Sequence, residues 1–241
     1  LPEIKPSLYN YGTNSDLLSD VPITSVLGDQ QAALFGHNCI NSGDVKNTYG
    51  TGCFALTNTG NDIVHSNNGL LSTIAYQKEG EYPQYALEGS VSIAGAAVQW
   101  LRDNLNIIEN SEDIESLAMS VKDNGDVYFV PAFSGLFSPH WDETARGVLV
   151  GLSRFSNKSH IARAVLESVA YQSNELLESM EKDIGIKFDS VSVDGGMVVN
   201  NLLMQFQSDI FEKKIVTQEI NEITALGVGA ASYLFVNNLP L

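Results

Sequence analysis

The regular alternation of helical and strand-like segments in the second half of the chain is the feature that most constrains its fold. A long apolar stripe at helical spacing ends near Gly185, where a helix stop is expected. Strands are predicted after it at residues 190–193 and 214–218, and helices at residues 199–211 and 223–235. Strands that alternate with helices pack as a sheet covered by helices. The pattern therefore predicts an α/β layered domain.

The first half of the chain is rich in β-prone runs that are separated by turns containing glycine. The strands predicted there cover residues 45–49, 53–58, 70–76 and 82–88. Before them the sequence predicts a connecting segment, a strand and a helix, at residues 1–20, 21–26 and 32–38. Between them and the long apolar stripe it predicts two helices, at residues 92–105 and 111–121, and a strand at residues 126–131, and it has a short apolar run at residues 147–152. Asn157 or Ser159 is placed to cap the long helix.

Acidic residues outnumber basic residues by 29 to 13, which gives the 241-residue chain a net charge of −16. An acidic surface repels nucleic acids and anionic membranes, so neither is predicted as a partner. It also repels nucleotide phosphates, so a phosphate site in this chain should use backbone N–H groups or a metal ion. With 44% hydrophobic and 17% charged residues, the chain is expected to fold around a real core.

The two cysteines, Cys39 and Cys53, are too few for a disulfide framework or a zinc site. The four histidines are scattered and predict no metal site. No apolar run reaches the roughly 20 residues of a membrane span. The first residues lack the pattern of a signal peptide and read like the middle of a longer protein. We therefore expect a cytoplasmic protein with reduced, buried thiols and no membrane span.

A turn with the sequence Gly28-Asp29-Gln30-Gln31 lies between a predicted strand and a predicted helix. A carboxylate at a helix N-terminus is held in place and exposed. Such a carboxylate can accept the proton of an attacking hydroxyl, and the amides can hydrogen-bond a neighbouring hydroxyl. A plain helix N-cap explains the same residues, and the spacing alone favours that simpler interpretation.

A second turn, Gly50-Thr51-Gly52, connects two predicted strands. Glycines and a hydroxyl allow the backbone to approach a phosphate closely. Hairpins also use the Gly-x-Gly pattern routinely, so this turn by itself favours an ordinary hairpin.

A third turn, Asp194-Gly195-Gly196, ends a buried strand and begins a helix. A flat ligand binds against the backbone at such points in open α/β folds. The turn is neither a dinucleotide fingerprint nor a P-loop, because no Lys-Ser/Thr pair follows it. A nucleotide site and a tight strand-to-helix turn explain it equally well.

Taken in this order, the three turns resemble those of the glycerol kinases in the FGGY carbohydrate kinase family. The resemblance covers essentially the whole chain. It is carried by residues 28–36, 44–60, 87–103, 194–209 and 224–227, together with a second family signature at residues 147–167. The Gly-Asp-Gln-Gln and Asn-Thr-Tyr-Gly-Thr-Gly stretches are specific to glycerol kinases within this family.

The resemblance implies an actin-like (ribonuclease H-like) ATPase fold, with a mixed sheet flanked by helices. Residues 1–38 would be the tail of the first, substrate-binding FGGY domain and would carry the catalytic aspartate. Residues 39–241 would be the second, nucleotide-binding domain without its extreme C-terminal segment. The N-terminal FGGY domain, with its phosphate-handling turn and most glycerol contacts, is missing from this sequence. The chain alone is therefore expected to be inactive.

The implied reaction is the ATP-dependent phosphorylation of glycerol to sn-glycerol 3-phosphate, with Mg²⁺. Asp29 would accept the proton from a primary hydroxyl, Gln30 would hydrogen-bond a glycerol hydroxyl, and Phe54 would cover the glycerol carbons. The resemblance implies six nucleotide-binding residues, namely Thr51, Gly95, Gln99, Gly196, Met197 and Asn200. It implies no metal ligand in this chain, and magnesium would bridge the nucleotide phosphates.

Asp20 stands where relatives inhibited by fructose 1,6-bisphosphate carry an arginine that contacts this effector, and Asp16 adds no positive charge. Because a carboxylate repels phosphate groups, the expected enzyme is insensitive to the bisphosphate. The sequence leaves the oligomeric state open, and a homo-oligomer is among the states it allows.

Two alternatives to a glycerol kinase stay open. One is another FGGY kinase that acts on a different sugar or polyol, such as a pentose. The other is a nucleotide-binding fragment with no catalysis of its own.

Overall fold

A computed structural model describes residues 2–14, 20–220 and 222–240. The strands are β1 Thr13–Asn14, β2 Val21–Pro22, β3 Val45–Tyr49, β4 Cys53–Gly60, β5 Leu71–Tyr76, β6 Gln84–Val91, β7 Tyr128–Val130, β8 Val148–Val150, β9 Ser190–Asp194 and β10 Lys214–Thr217. The helices are α1 Asp29–Gly36, α2 Gly95–Asp103, α3 Asp113–Met119, α4 Lys158–Ile184, α5 Asn201–Phe211 and α6 Ile223–Val236.

A six-stranded mixed sheet with the order β10-β9-β3-β4-β6-β5 forms the centre of the fold. The strands β10, β9 and β3 are parallel, whereas β4, β6 and β5 continue the sheet in antiparallel pairs. Two further antiparallel pairs, β1 with β2 and β7 with β8, lie outside this sheet. The mixed sheet with its flanking helices confirms the predicted α/β layers.

Helices cover both faces of the central sheet. Because side chains alternate along a strand, neighbouring residues of β4 belong to different cores. Ala55 lies in the core that α4 covers, and Leu56 lies in the core that α1 and α6 cover. Lys46 and Thr48 of β3 share the second face, because Val45 and Tyr49 face α4. This alternation decides which polar side chains can meet beside α1.

The long helix α4 begins and ends where its capping residues predict. The side chain of Asn157 accepts hydrogen bonds from the backbone N–H groups of Ser159 and His160, and His160 Nδ1 accepts one from Asn157 N. This reciprocal arrangement satisfies donors that the first turn would otherwise leave unpaired. Gly185 ends the helix in the left-handed conformation, with φ of 70°. Between these caps the helix packs against β4 and β6 of the central sheet.

Three predicted boundaries near the turns are wrong. The helix predicted at residues 32–38 spans Asp29–Gly36. The strand predicted at residues 21–26 is regular only over β2, and Ser25 forms an isolated bridge with Leu8. The helix predicted from residue 92 begins only at Gly95. Residues before Gly95 are held in a turn instead, because Ala94 N donates to Thr51 O and Gly95 N donates to Gly50 O, at 2.8 and 3.0 Å. Tertiary contacts therefore delay the start of α2.

The segment that precedes the sheet is described in part. Asp20 is exposed, with a left-handed φ of 65°, and Asp16 lies outside the described residues. The insensitivity to fructose 1,6-bisphosphate stays a prediction. None of the helices in the described part of the chain combines the length and hydropathy that crossing a bilayer requires.

Helix α1 packs against α6, and its buried side chains Leu34 and Phe35 share a core with Leu56 and Tyr76. This helix therefore has a large contact with elements on the other side of the predicted boundary between residues 38 and 39. The boundary itself stays a prediction.

The crossing of α1 and α6 generates a first prediction. A Cβ atom added to Gly227 would lie 1.9 Å from Ala32 O and 2.8 Å from Gly36 N. We expect Gly227→Ala to push the helices apart and to lower the free energy of unfolding by about 2 kcal/mol, the usual scale of overpacking. Urea denaturation measures the change.

Gly229 of the same helix is the matched control, because a Cβ atom there would meet nothing within 4 Å. Gly229→Ala should be neutral or should stabilise the chain by up to about 1 kcal/mol, since alanine favours helix. Equal losses in both variants would contradict the close crossing.

Candidate functional site

A cavity of about 330 Å³ lies beside the carboxyl ends of the parallel strands β3 and β9. Residues from the β3–β4 turn, from α2 and from the start of α5 line it. All six residues that the sequence assigned to the nucleotide are among them, namely Thr51, Gly95, Gln99, Gly196, Met197 and Asn200. Three separate stretches of sequence therefore meet at one cavity.

Glycines bring the turns that border this cavity into backbone contact. A Cβ atom on Gly195, which has φ of 96°, would lie 2.4 Å from Tyr49 O. A Cβ atom on Gly95 would lie 2.6 Å from Gly50 O. Side chains at either position would separate the turns, so the geometry of the cavity requires glycine there.

Gly196 is different, because a Cβ atom there would meet no atom within 4 Å. Its backbone does not adopt the left-handed conformation, so the fold itself does not require glycine at this position. Gly196 nevertheless lines the cavity. Its missing side chain leaves space that a ligand can occupy against the backbone.

The rest of the cavity wall is largely apolar. Val98, Ile114 and Leu166 contribute aliphatic side chains. Besides Thr51, the lining has polar side chains at Gln99, Ser111, Glu112, Glu115 and Asn200. The amide oxygen of Asn200 is already used, because it caps α5 by accepting a hydrogen bond from Leu203 N at 2.9 Å. Apolar walls with a few polar groups suit a flat heteroaromatic ring.

The turn at Asp29 lies on the opposite face of the sheet. Asp29 is the first residue of α1, whereas Gly28 is the N-cap, so a plain capping interpretation does not describe this carboxylate. Its side chain is exposed, and Oδ1 accepts a hydrogen bond from Gln30 N at 2.8 Å. The carboxylate is thus held at the helix start and open to a reactant.

A fully buried lysine, which the sequence did not predict, contacts two of the three residues assigned to the acceptor. Lys46 Nζ donates to the side-chain oxygen of Gln30, and to Phe54 O at 3.1 Å. Gln30 in turn follows Asp29, and the ring of Phe54 is partly exposed. The signal for it in the sequence is weak, because Lys46 lies in a predicted strand that is already polar at Asn47 and Thr48.

Lys46 lies among acidic groups from three elements. Burial lowers the pKa of Lys46 to about 8, although the charges of Asp194, Glu88 and Asp29 oppose the shift. Burial likewise raises the pKa of Glu88, and the charge of Lys46 opposes that shift. For Asp194 burial acts upward, but contacts with His37 and Thr48 and the charge of Lys46 together hold its pKa below the ordinary value.

His37 is buried beside Asp194, with 3.7 Å between Nε2 and Oδ2. Neither ring nitrogen of His37 is within hydrogen-bond distance of a partner. Within the described residues, no group of three or more His, Cys, Asp or Glu side chains is arranged to hold a metal ion. Cys39 and Cys53 are buried free thiols, and burial raises the pKa of each to about 12.

The two predicted sets of site residues thus lie at one edge of the sheet, on opposite faces. The nucleotide set faces α2 and α5, and the acceptor set faces α1. The turn Gly50-Thr51-Gly52 joins the two sets, because it connects β3 with β4. A group bound at this turn can therefore contact ligands on both sides.

Comparison with known proteins gives consistent results. The sequence model of the FGGY family of carbohydrate kinases, C-terminal domain, matches residues 45–232. Glycerol kinase from Brucella anthropi is 59% identical over 98% of this chain and 48% of its own length. Glycerol kinase from Chloroflexus aurantiacus is 55% identical over 98% of this chain and 47% of its own length. The chain spans about half the length of the curated relatives it matches.

Solved structures agree with this relationship. A crystal structure of Plasmodium falciparum glycerol kinase with ADP superposes with a TM-score of 0.91 at 39% identity, and covers 100% of this chain and 48% of its own. Xylulose kinase from Lactobacillus acidophilus has a TM-score of 0.81 at 24% identity, over 91% of this chain and 44% of its own. These neighbours confirm the predicted actin-like fold. The chain therefore belongs to the FGGY family of carbohydrate kinases.

Proposed function

We propose that this chain is part of an enzyme that transfers the γ-phosphoryl group of ATP to glycerol and forms sn-glycerol 3-phosphate. The observation that carries the proposal is the meeting of both predicted residue sets at one edge of the sheet. The relatives at 53–59% identity are glycerol kinases, which favours glycerol over another sugar or polyol. An N-terminal FGGY domain would supply the remaining contacts.

The nucleotide fits the cavity beside β3 and β9. The apolar walls would take the adenine ring, and the open space at Gly196 would let the nucleotide approach the backbone. Thr51 is exposed at the turn between the two residue sets, where its hydroxyl would contact the phosphates. ATP supplies the phosphoryl group, and Mg²⁺ would arrive with the phosphates, whose charge it neutralises.

The acceptor fits the other face of the same edge. Asp29 would accept the proton of the attacking hydroxyl, since its carboxylate is exposed at the start of α1. Gln30 would donate a hydrogen bond to a second hydroxyl, and the ring of Phe54 would cover the carbon chain. Phosphoryl transfer depends mainly on such positioning.

We place this reaction in the cytoplasm. ATP is consumed there, and the buried free thiols of Cys39 and Cys53 suit a reducing compartment.

The proposed base generates the first functional prediction. In the complete two-domain enzyme, Asp29→Asn should lower kcat by roughly 10²-fold, because loss of a general base has this scale. The KM for glycerol should change far less. Steady-state kinetics measures both, with Asp209→Asn, an exposed carboxylate on α5, as the control. A variant with near-normal kcat would remove Asp29 from this role.

The nucleotide cavity generates a second prediction. Gly196→Ala places a methyl group in open space, so the stability of the fold should stay within about 1 kcal/mol of the parent. The same methyl group should obstruct the nucleotide and raise the KM for ATP by about tenfold. Gly229→Ala, which also meets open space but lies on α6, is the matched control. An unchanged KM for ATP in Gly196→Ala would place the nucleotide elsewhere.

The division of labour between two domains generates a third prediction. Residues 1–241 alone should form no glycerol 3-phosphate, because half of the positioning apparatus is absent. They should still bind ADP, which equilibrium dialysis detects. Product formation by the purified chain, free of host kinase, would contradict the two-domain proposal. Full activity of the complete enzyme would at the same time exclude a non-catalytic nucleotide-binding protein.

A further inference from the structure

The buried ammonium group of Lys46 makes contacts that a merely structural lysine would not need. Its side chain has no exposed surface, and it lies on β3 beneath α1. Its hydrogen bonds go to the side-chain oxygen of Gln30, to Thr48 Oγ1 at 3.0 Å and to Phe54 O at 3.1 Å. All three acceptors are uncharged oxygens, and two belong to residues assigned to the acceptor site.

Burial of a charge is unfavourable, and an apolar side chain of similar volume would often serve a core at least as well. Three carboxylates have charges that raise the pKa of Lys46, and they come from three different elements around it. They are Asp29 on α1, Glu88 on β6 and Asp194 on β9. These negative charges stabilise the ammonium group where it is. The lysine in turn offsets part of the negative charge of these three residues, which border the candidate active site.

The contact with Gln30 has a chemical consequence. An ammonium group carries three donors and no acceptor, so it fixes which end of the Gln30 amide faces it. The oxygen is used by Lys46, and the NH₂ group is left to donate. Gln30 can then offer the acceptor molecule donors only, which matches the lone pairs of a hydroxyl oxygen.

The contact with Phe54 acts on the same site. Phe54 pairs with Thr48 across the β3–β4 ladder, and its carbonyl oxygen and Thr48 Oγ1 both accept from Lys46. The lysine thus ties the strand that carries the aromatic ring to the start of α1. A shift of either element would change the width of the acceptor site.

We propose that Lys46 is a positioning residue, which holds Gln30 with its NH₂ group toward the acceptor and fixes Phe54 beside it. The inference rests on the proposed function, since it names a determinant of acceptor binding at the same site. It concerns the acceptor alone, because Lys46 does not line the nucleotide cavity.

The charge of Lys46 also gives the acceptor site a pH dependence. Burial lowers the pKa of Lys46 to about 8, and the groups that face it are Asp194, Glu88, Asp29 and the thiol of Cys39. Below this pH the ammonium group orients Gln30. As the pH rises through about 8, the neutral amine can accept as well as donate, so the Gln30 amide loses its fixed orientation. The KM for glycerol should therefore rise above pH 8, while the KM for ATP stays level.

The test uses Lys46→Met in the complete two-domain enzyme. We expect the KM for glycerol to rise by about tenfold or more, the scale for loss of a charge-assisted hydrogen bond that orients a ligand group, and the KM for ATP to change less than twofold. Lys78→Met is the matched control. Lys78 is also a buried lysine, but its Nζ donates to Leu239 O at 2.8 Å and pairs with Glu81 at 3.1 Å. This control should leave both KM values unchanged.

The possible results separate failure of the positioning role of Lys46 from failure of the proposed function. An unchanged KM for glycerol in Lys46→Met, or an equal rise in both KM values, would overturn the positioning role. If Lys46→Met does not fold, the parent enzyme decides, since a level KM for glycerol between pH 7 and about 9.5 would also overturn it. Failure of the proposed function looks different, because the parent enzyme would then show no turnover of glycerol at any pH.

Discussion

Backbone contact between glycine-containing turns is the constraint on which the rest of this structure depends. The turn after β9 lies against the end of β3, with only 2.4 Å between the position of a Cβ atom on Gly195 and Tyr49 O. The start of α2 approaches the β3–β4 turn in the same way at Gly95. Without both contacts, the turn after β9 and the start of α2 would move away from the β3–β4 turn, and the cavity that these segments line would lose its shape. The glycines at these positions therefore determine the site as well as the turns.

The mixed sheet explains why the two predicted sets of site residues meet at one end of the strands. Parallel pairing of β3 with β9 brings two strand ends to the same edge, and antiparallel pairing of β3 with β4 adds a tight turn there. Because side chains alternate along β3, Tyr49 faces the cavity proposed for the nucleotide, and Lys46 faces α1. A transferred group at the turn would have one ligand on either side of it.

The acidic composition of the chain fits this arrangement. A strongly negative protein cannot attract phosphates with its overall field. Among the residues that the structure describes, the lining of the cavity contains Glu112 and Glu115 and no lysine or arginine, so a phosphate beside it would depend on backbone N–H groups and on Mg²⁺. Beside α1, the positive charge of the buried Lys46 partly offsets the acidic groups around it. The local electrostatics thus differ from those of the molecule as a whole.

Local sequence determined much of this protein. The strands β3 and β9, the caps of α4 at Asn157 and Gly185, and the α/β layers follow from hydrophobic period and turn chemistry, which act over a few residues. The six residues predicted to bind the nucleotide came from the family resemblance, and the structure brings all six to one cavity.

Tertiary structure alone decided the late start of α2, since the backbone N–H groups of Ala94 and Gly95 donate to a turn more than 40 residues away. It also decided the role of Lys46, because a lysine in a strand shows no partner in the sequence. Its partners on α1 and β4 come together only when the sheet forms, and the free energy of burying its charge depends on them.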